Sequence, residues 1–123
     1  MSIGKNTPHD SGELHVTGRA LFTDDISLSN DSLHLAFGLS SIAKGSIIEL
    51  DLSKVVKSDG VIKVISAKDL LFTSDTSPSA NDEPLLSDGT IHFLGQPIFL
   101  VIASSHINAR KACRLARVNY KEE

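Results

Sequence analysis

The sequence has very little cysteine, with Cys113 as the only thiol among 123 residues. A lone cysteine cannot close an internal disulfide, and it offers no cysteine cluster for an iron-sulfur centre. Long apolar runs are also missing, since none approaches the roughly eighteen residues that a membrane span needs. The first fifteen residues are polar and lack the apolar stretch of a secretory signal. The sequence therefore predicts a soluble, cytoplasmic protein.

Positive charge is also sparse, and the glycine-rich nucleotide signatures are absent. The twelve Lys and Arg residues are scattered and the formal net charge is -3, so the sequence does not favour nucleic acid or an anionic membrane as a partner. There is no G-x-G-x-x-G, P-loop or G-x-S-x-G motif, which leaves nucleotide binding and acyl transfer without support. The hydrophobic fraction of 41% suits one compact domain that needs no structural metal.

The apolar pattern predicts an α+β fold with a mixed sheet and a few short helices. Residues 1–30 are polar and are expected to form an extended arm of the same domain, whereas residues 31–123 supply its core. Residues 72–88 have too little apolar surface to offset the ordering of their backbone, so we expect a mobile loop there. The predicted strands are 33–39, 46–51, 61–65, 90–93, 98–103 and an edge strand at 118–121, and short helical segments are expected at 52–57 and 67–71.

Two core elements give the clearest signals. Leu33, Leu35, Phe37 and Leu39 alternate with small or polar residues, which is typical of a half-buried strand, and the apolar run 98–103 predicts a central strand buried on both faces. The last helix begins after Ser104 or Ser105. It carries an apolar stripe of small residues that would let it lie close to a sheet: Ala109, Ala112, Cys113 and Ala116.

Histidines and acidic residues give only weak functional signals. The five histidines are not spaced as zinc ligands, and the nearest approach to a cluster is His9-Asp10 with His15, in a segment that we interpret as a solvated arm. Thr23-Asp24-Asp25 is typical of a turn in which Asp accepts backbone hydrogen bonds, although paired carboxylates could also serve acid-base chemistry or bind a cation. The remaining histidines are His34, His92 and His106.

Cys113 and the segment Leu94-Gly95-Gln96-Pro97 complete the set of candidates. Cys113 lies on the predicted buried stripe, where a thiol acts as a small hydrophobe with a raised pKa rather than as a nucleophile. The Gly95-Pro97 bend places the Gln96 amide between two apolar strands, where the amide can satisfy local backbone groups. From these residues alone we assign no catalytic, cofactor-binding or metal-binding residue to the chain.

The structural signals fall in six segments, which are 8–26, 43–51, 60–70, 81–86, 93–98 and 109–120. In this order they resemble the a/b hammerhead domain that opens the molybdenum-binding large subunit of the xanthine dehydrogenase and aldehyde oxidase family. The leader before Pro8, together with His9-Asp10-Ser11 and His15-Val16-Thr17-Gly18, looks most similar to the bacterial xanthine dehydrogenase branch. The resemblance covers nearly the whole chain.

The resemblance implies an oxidoreductase that hydroxylates a purine such as hypoxanthine or xanthine, in purine catabolism, with water-derived oxygen. It implies molybdopterin, iron-sulfur clusters and FAD on other domains or subunits, and none of these in this chain. It also implies two partners, the remainder of the molybdenum-binding subunit and the iron-sulfur and flavin subunit. This chain would then be a truncated gene product or an excised domain, inactive alone, that makes scaffold and interdomain contacts.

Two other hypotheses remain open at this point. A stand-alone small-molecule or protein-binding module could share the fold, because fold does not fix function. It would need a closed pocket with converging polar groups, for which the Gly95-Gln96 bend and the Asp24-Asp25 turn are the places to look. A small enzyme has the least support, since no nucleophile, base and orienting group can be assembled from these residues. The substrate branch and the assembly state stay undetermined by the sequence.

Overall fold

The computed structural model describes residues 3–71, 75–79 and 82–123. The chain divides into two compact units, Met1–Asn30 and Asp31–Glu123. The first unit contains a short helix, α1 (Gly12–Val16), and a one-turn 3-10 helix at Thr23–Asp25. Residues 1–30, expected to be an extended arm, thus contain two short helical turns, which local backbone hydrogen bonds close.

In its described residues the second unit has six strands and two α-helices, which confirms the α+β class. The strands form a first sheet in the order β1-β5-β3 and a second sheet in the order β4-β2-β6. Sequence analysis expected one mixed sheet, whereas the pairings described between these strands are all antiparallel. In chain order the elements are β1 (His34–Leu39), β2 (Gly45–Asp51), α2 (Ser53–Val56), β3 (Val61–Ser66), a 3-10 turn (Ala67–Asp69), β4 (Thr90–Ile91), β5 (Pro97–Ala103), α3 (His106–Cys113) and β6 (Arg117–Glu122).

The loop between β3 and β4 has more structure than the mobile loop predicted for residues 72–88. Residues 72–74, 80 and 81 lie outside the described residues, but Asp75 and Pro84 form an antiparallel bridge. The Asp75 carboxylate accepts hydrogen bonds from the Ser77 hydroxyl and amide and from the Glu83 amide, and these bonds hold the pKa of that carboxyl below its usual value. Side-chain bonds to the backbone thus replace apolar burial here.

Helix α3 begins where the sequence indicated. The Ser105 hydroxyl accepts a hydrogen bond from the Asn108 amide at 3.2 Å, so Ser105 is the N-cap. Ala109 and Ala112 are fully buried, and the Cys113 thiol lies 3.5 Å from the carbonyl oxygen of Ala36 on β1. The small stripe therefore does bring the helix close to the first sheet. The predicted stripe residue Ala116 lies beyond the end of the helix.

The face of β1 that enters the core is the one with small residues. Ala36 and Gly38 pair with Val101 and Phe99 of β5, and Phe99 and Val101 are among the most buried residues. Leu35, Phe37 and Leu39 point to the other side and are 56%, 45% and 54% exposed. The strand itself is confirmed, but the large residues that the alternation suggested for its buried side are outside.

Gly38 is required by the Phe99 ring. A Cβ atom at position 38 would lie 2.1 Å from two ring carbons of Phe99, far inside van der Waals contact. Because Phe99 is only 1% exposed and sits in the core cluster, the ring has no free space into which to retreat. The packing of β1 on β5 therefore depends on a residue without a side chain.

Replacing Gly38 with Ala should lower the free energy of unfolding by about 1–3 kcal/mol, the usual cost of over-packing a dense core. Denaturant unfolding of the 123-residue chain measures it. The matched control is Gly12→Ala, since the nearest atom to a Cβ at that position is 3.8 Å away. Equal stability of the two variants would contradict the close approach of Gly38 and Phe99.

Candidate functional site

The Gln96 side chain is buried in the bend that joins β4 to β5. Gln96 is 2% exposed, its Oε1 accepts a hydrogen bond from the His92 amide at 2.7 Å, and its Nε2 donates to the Thr90 carbonyl at 3.3 Å. Both ends of the amide are thus used by backbone groups of the same bend. This arrangement fixes the bend and leaves neither end of the amide without a protein partner.

Two buried serines brace the same bend. The Ser40 amide donates to the Gln96 carbonyl at 2.9 Å, and the Gly95 amide donates to the Ser40 carbonyl at 3.0 Å. The Ser87 hydroxyl donates to the Thr90 carbonyl at 2.7 Å, and the Ser87 amide donates to the Pro97 carbonyl at 2.8 Å. We call Ser40, Ser87 and Gln96 the bend cluster. No buried side-chain polar atom in the described part of the chain lacks a hydrogen-bond partner.

Sequence analysis identified Gln96 but missed Ser40 and Ser87. The turn signals Ser40-Ser41 after β1 and Ser87-Asp88-Gly89 before β4 were available, but serines in turns are usually solvated. Both are 5% exposed in the structure. Gly95 has a φ of +84°, which explains why glycine precedes Gln96 in this bend.

A cavity of about 820 Å³ borders Gln96 of the bend cluster. Its volume is in the range of small-molecule sites, but such sites need a few converging polar groups that fix the ligand. Since the Gln96 amide is turned into its own bend, that group does not fix a ligand in the cavity. The cavity is lined by Thr76, Asp82, Glu83, Pro84, Leu85, His92, Phe93, Gln96 and Pro97.

The Asp24-Asp25 pair forms a turn, as one of its two interpretations predicted. Asp25 lies in the 3-10 helix Thr23–Asp25, and its Oδ2 accepts a hydrogen bond from the Phe22 amide at 2.9 Å. A carboxylate that accepts a backbone amide in this way closes a turn at an exposed helix start. The carboxylate of Asp25 thereby has a local structural role.

The histidines do not come together as a metal site. His9 and His15 lie with their ring centroids 6.5 Å apart, and His9 Nδ1 accepts a hydrogen bond from the Ser11 amide at 3.1 Å. Within residues 3–71, 75–79 and 82–123, no group of three or more His, Cys, Asp or Glu residues could hold a metal ion. His34, His92 and His106 lie on β1, in the Gln96 bend and at the start of α3.

Cys113 lies at the end of α3 against β1. Partial burial raises the pKa of its thiol, because desolvation penalises the thiolate. A nucleophilic cysteine needs the opposite shift, which a nearby cation or a helix N-terminus provides. The position of Cys113 therefore favours packing.

The burial of Gln96 in the bend cluster predicts that Gln96→Glu lowers the free energy of unfolding in a pH-dependent way. Burial would raise the folded-state pKa of the new carboxyl above the unfolded value of about 4.3, at a cost of about 1.4 kcal/mol for each unit of that rise. Below pH 4 the protonated acid can donate to the Thr90 carbonyl, so little stability is lost. As the pH rises from about 4.3 toward the raised folded-state pKa, the carboxyl ionises in the unfolded state first, and the free energy of unfolding of the variant should fall.

Urea unfolding between pH 4 and 7 measures this loss of stability. The control is Gln96→Met, which cannot titrate. A difference between the two variants that stays constant with pH would contradict the burial of this side chain.

The environment of Cys113 predicts slow alkylation. At pH 8 iodoacetamide should modify the native chain several-fold more slowly than the same chain in urea, because less thiolate is present and access is reduced. The midpoint of the rate against pH should lie above the usual value of about 8.5 for a free thiol. Faster alkylation of the native chain, with a midpoint below that value, would identify an activated nucleophile and contradict the packing role.

In comparisons with known proteins, residues 17–123 match the family model described as the aldehyde oxidase and xanthine dehydrogenase a/b hammerhead domain. Xanthine dehydrogenase 1 of Arabidopsis thaliana is 34% identical over 121 residues, which cover 98% of this chain and 9% of that protein. Aldehyde oxidase 1 of Macaca fascicularis is 32% identical over 120 residues, again 98% of this chain and 9% of the relative.

The fold agrees with a solved structure of the same kind. The aldehyde oxidoreductase from Desulfovibrio desulfuricans ATCC 27774 superposes with a TM-score of 0.85 at 28% identity, over 98% of this chain and 14% of that one. The chain thus spans only 9% to 14% of the length of these relatives. The chain belongs to the aldehyde oxidase and xanthine dehydrogenase family, and it corresponds to the a/b hammerhead domain of those proteins.

Proposed function

We propose that this chain is a non-catalytic scaffold domain of a molybdenum hydroxylase of the xanthine dehydrogenase type. The observation that carries the proposal is the match of residues 17–123 to the hammerhead domain, in a chain that spans 9% of its curated relatives. A segment of that size would contribute packing surface to a much longer enzyme. Its most buried polar groups support this role, since the bend cluster is satisfied by the chain's own backbone.

We infer that the residues described by the structure do not hold the cofactors that the family implies. An iron-sulfur cluster needs several thiolate or imidazole ligands, and Cys113 is the single cysteine. A pterin or a flavin needs polar groups directed into a cavity, whereas the Gln96 amide beside the 820 Å³ cavity is bonded to its own bend. We therefore assign molybdopterin, the iron-sulfur clusters and FAD to other parts of the enzyme.

The proposed partners are the remainder of the molybdenum-binding subunit and the iron-sulfur and flavin subunit. The proposed reaction is the oxidation of hypoxanthine and xanthine in purine catabolism, in the cytoplasm. We propose the xanthine branch because the xanthine dehydrogenases of Dictyostelium discoideum and Arabidopsis thaliana are 36% and 34% identical to this chain, although aldehyde oxidase 1 of Rattus norvegicus, at 33%, is almost as similar. A single free thiol also suits a reducing compartment.

No helix in the described ranges is long and apolar enough to cross a membrane. The longest is α3, with eight residues, whereas a span needs about twenty.

The proposal predicts that the purified chain is inactive and binds no cofactor. Mass spectrometry, ultraviolet-visible spectra and metal analysis should find no molybdenum, iron or pterin, and mixing with xanthine and an electron acceptor should give no turnover. The control is an intact relative such as Arabidopsis xanthine dehydrogenase 1, prepared and assayed in the same way. A stoichiometric cofactor or measurable turnover in the chain alone would overturn the scaffold role.

A further inference from the structure

The first sheet has an apolar face that the described residues of the second unit leave partly exposed. On the side of this sheet opposite the core, cross-strand pairing places Phe37 beside Leu100, and Leu100 beside Ile65. Leu35 pairs with Ile102 in the next row. We call this surface the outer face, and its apolar residues are Leu35, Phe37, Leu39, Ile65, Leu100 and Ile102.

The outer face lacks the polar side chains that a solvated sheet face normally carries. An antiparallel sheet with one wet face alternates apolar residues inside with polar residues outside. β1 and β5 contain no Asp, Glu, Lys or Arg, and the larger apolar residues of β1 point outward. A charged residue of the outer face is found only on β3, where Lys63 pairs with Ile102.

The second sheet shows the contrast within the same unit. Its strands β2 and β6 carry five charged residues, as expected for strands in contact with water. These are Glu49, Asp51, Arg117, Lys121 and Glu122. Among the strands of six or seven residues in the described part of the chain, only β1 and β5 of the first sheet therefore lack charged residues.

The large outward residues are not accidental surface residues. Phe37 and Leu35 are 45% and 56% exposed on adjacent rows of one face, so they form a contiguous patch. Large contiguous apolar patches on folded domains mark surfaces that bind another protein segment, a membrane or a ligand. The inner face of β1 is closed by Gly38 under Phe99, so these side chains cannot turn into the core.

We propose that the outer face binds the remainder of the molybdenum-binding subunit, the part of the enzyme that this chain does not contain. This inference rests on the proposed function. The matched segment occupies 9% of the curated relatives, so a far longer polypeptide is covalently attached to the same domain in those proteins. Attachment gives that polypeptide a high effective concentration at a nearby apolar face. Because the outer face is apolar, the surface of the rest of the subunit that contacts it should also be apolar and uncharged.

The test is a chimera of Arabidopsis xanthine dehydrogenase 1 in which this chain replaces the matched segment. Hydroxyl-radical footprinting compares the oxidation rates of Phe37 and Leu35 in the chimera and in the chain alone. The rate at Phe37 should fall about fivefold or more, because the side chain would become as buried as core residues are. Ile48 and Ile107, both 65% exposed and away from the outer face, serve as internal controls and should keep their rates.

A pair of variants adds an independent readout. Phe37→Glu should reduce the fraction of chimera that assembles, as measured by size-exclusion chromatography and resistance to proteolysis, whereas Ile107→Glu should not. In the chain alone both variants should stay folded, with Phe37→Glu the less stable of the two, because Phe37 is 45% exposed in a strand and Ile107 is 65% exposed in the first turn of a helix. Assembly of the two chimeras is therefore compared well below the unfolding midpoint of both variants.

The possible outcomes separate this inference from the proposed function. An assembled chimera in which Phe37 is oxidised as fast as in the chain alone overturns the docking surface and leaves the scaffold role intact. Protection of Phe37 in the chain alone that grows with its concentration assigns the face to a second copy and also overturns the inference. A chimera that does not assemble, when the relative with its own segment does, contradicts the proposed function and with it this inference.

Discussion

The contact between the Phe99 ring and the backbone of Gly38 sets the orientation of β1, and much of the structure depends on it. A ring of that size in the core leaves no volume for a Cβ at position 38, so β1 presents Gly38 and Ala36 inward. The helix that closes this core, α3, also presents small buried residues, Ala109 and Ala112. Close packing of small residues on both sides lets the sheet and the helix approach each other. The large residues of β1 are then left on the opposite side of the sheet.

The second constraint is the bend cluster, which stabilises the connection between the two sheets. β4 belongs to the second sheet and β5 to the first, and Gln96 lies immediately before β5. The Gln96 side chain bonds the backbone of residues 90 and 92, while its own backbone bonds Ser40 at the end of β1. A buried amide with both ends satisfied rigidifies such a junction, and leaving either end without a partner would be costly. Because both ends of the Gln96 amide are already hydrogen-bonded, the bend at residues 94–97 has a structural role and does not bind a ligand through this group.

The periodicity of apolar residues predicted most strands and helices of this domain. It could not predict which face of a strand is buried, because that depends on contacts with residues distant in sequence. β3 and β5 were found within one residue at each end because β-branched and apolar runs are typical of strands. The alternation in β1 defines two faces without saying which is buried, and the choice depends on Phe99, which is distant in sequence. β4 is two residues shorter than predicted, since the His92 amide donates a hydrogen bond to the Gln96 side chain.

The predicted central position of β5 in its sheet is confirmed, but the strand is not buried on both faces, because Leu100 and Ile102 are only partly buried. The family followed from six ordered segments, while Ser40 and Ser87 of the candidate site look like ordinary turn serines.

The most direct test of this account is whether the large residues of β1 point to solvent in the isolated chain. Methyl relaxation in the presence of a soluble gadolinium chelate, measured on the chain labelled at Leu, Val and Ala methyl groups, reports this for each side chain. The account predicts strong relaxation enhancement at Leu35 and Leu39, and little at Val101, Ala103 and Ala112, which are fully buried. Protection of Leu35 and Leu39 would contradict the orientation of β1, and with it the close packing at Gly38 and the outer face.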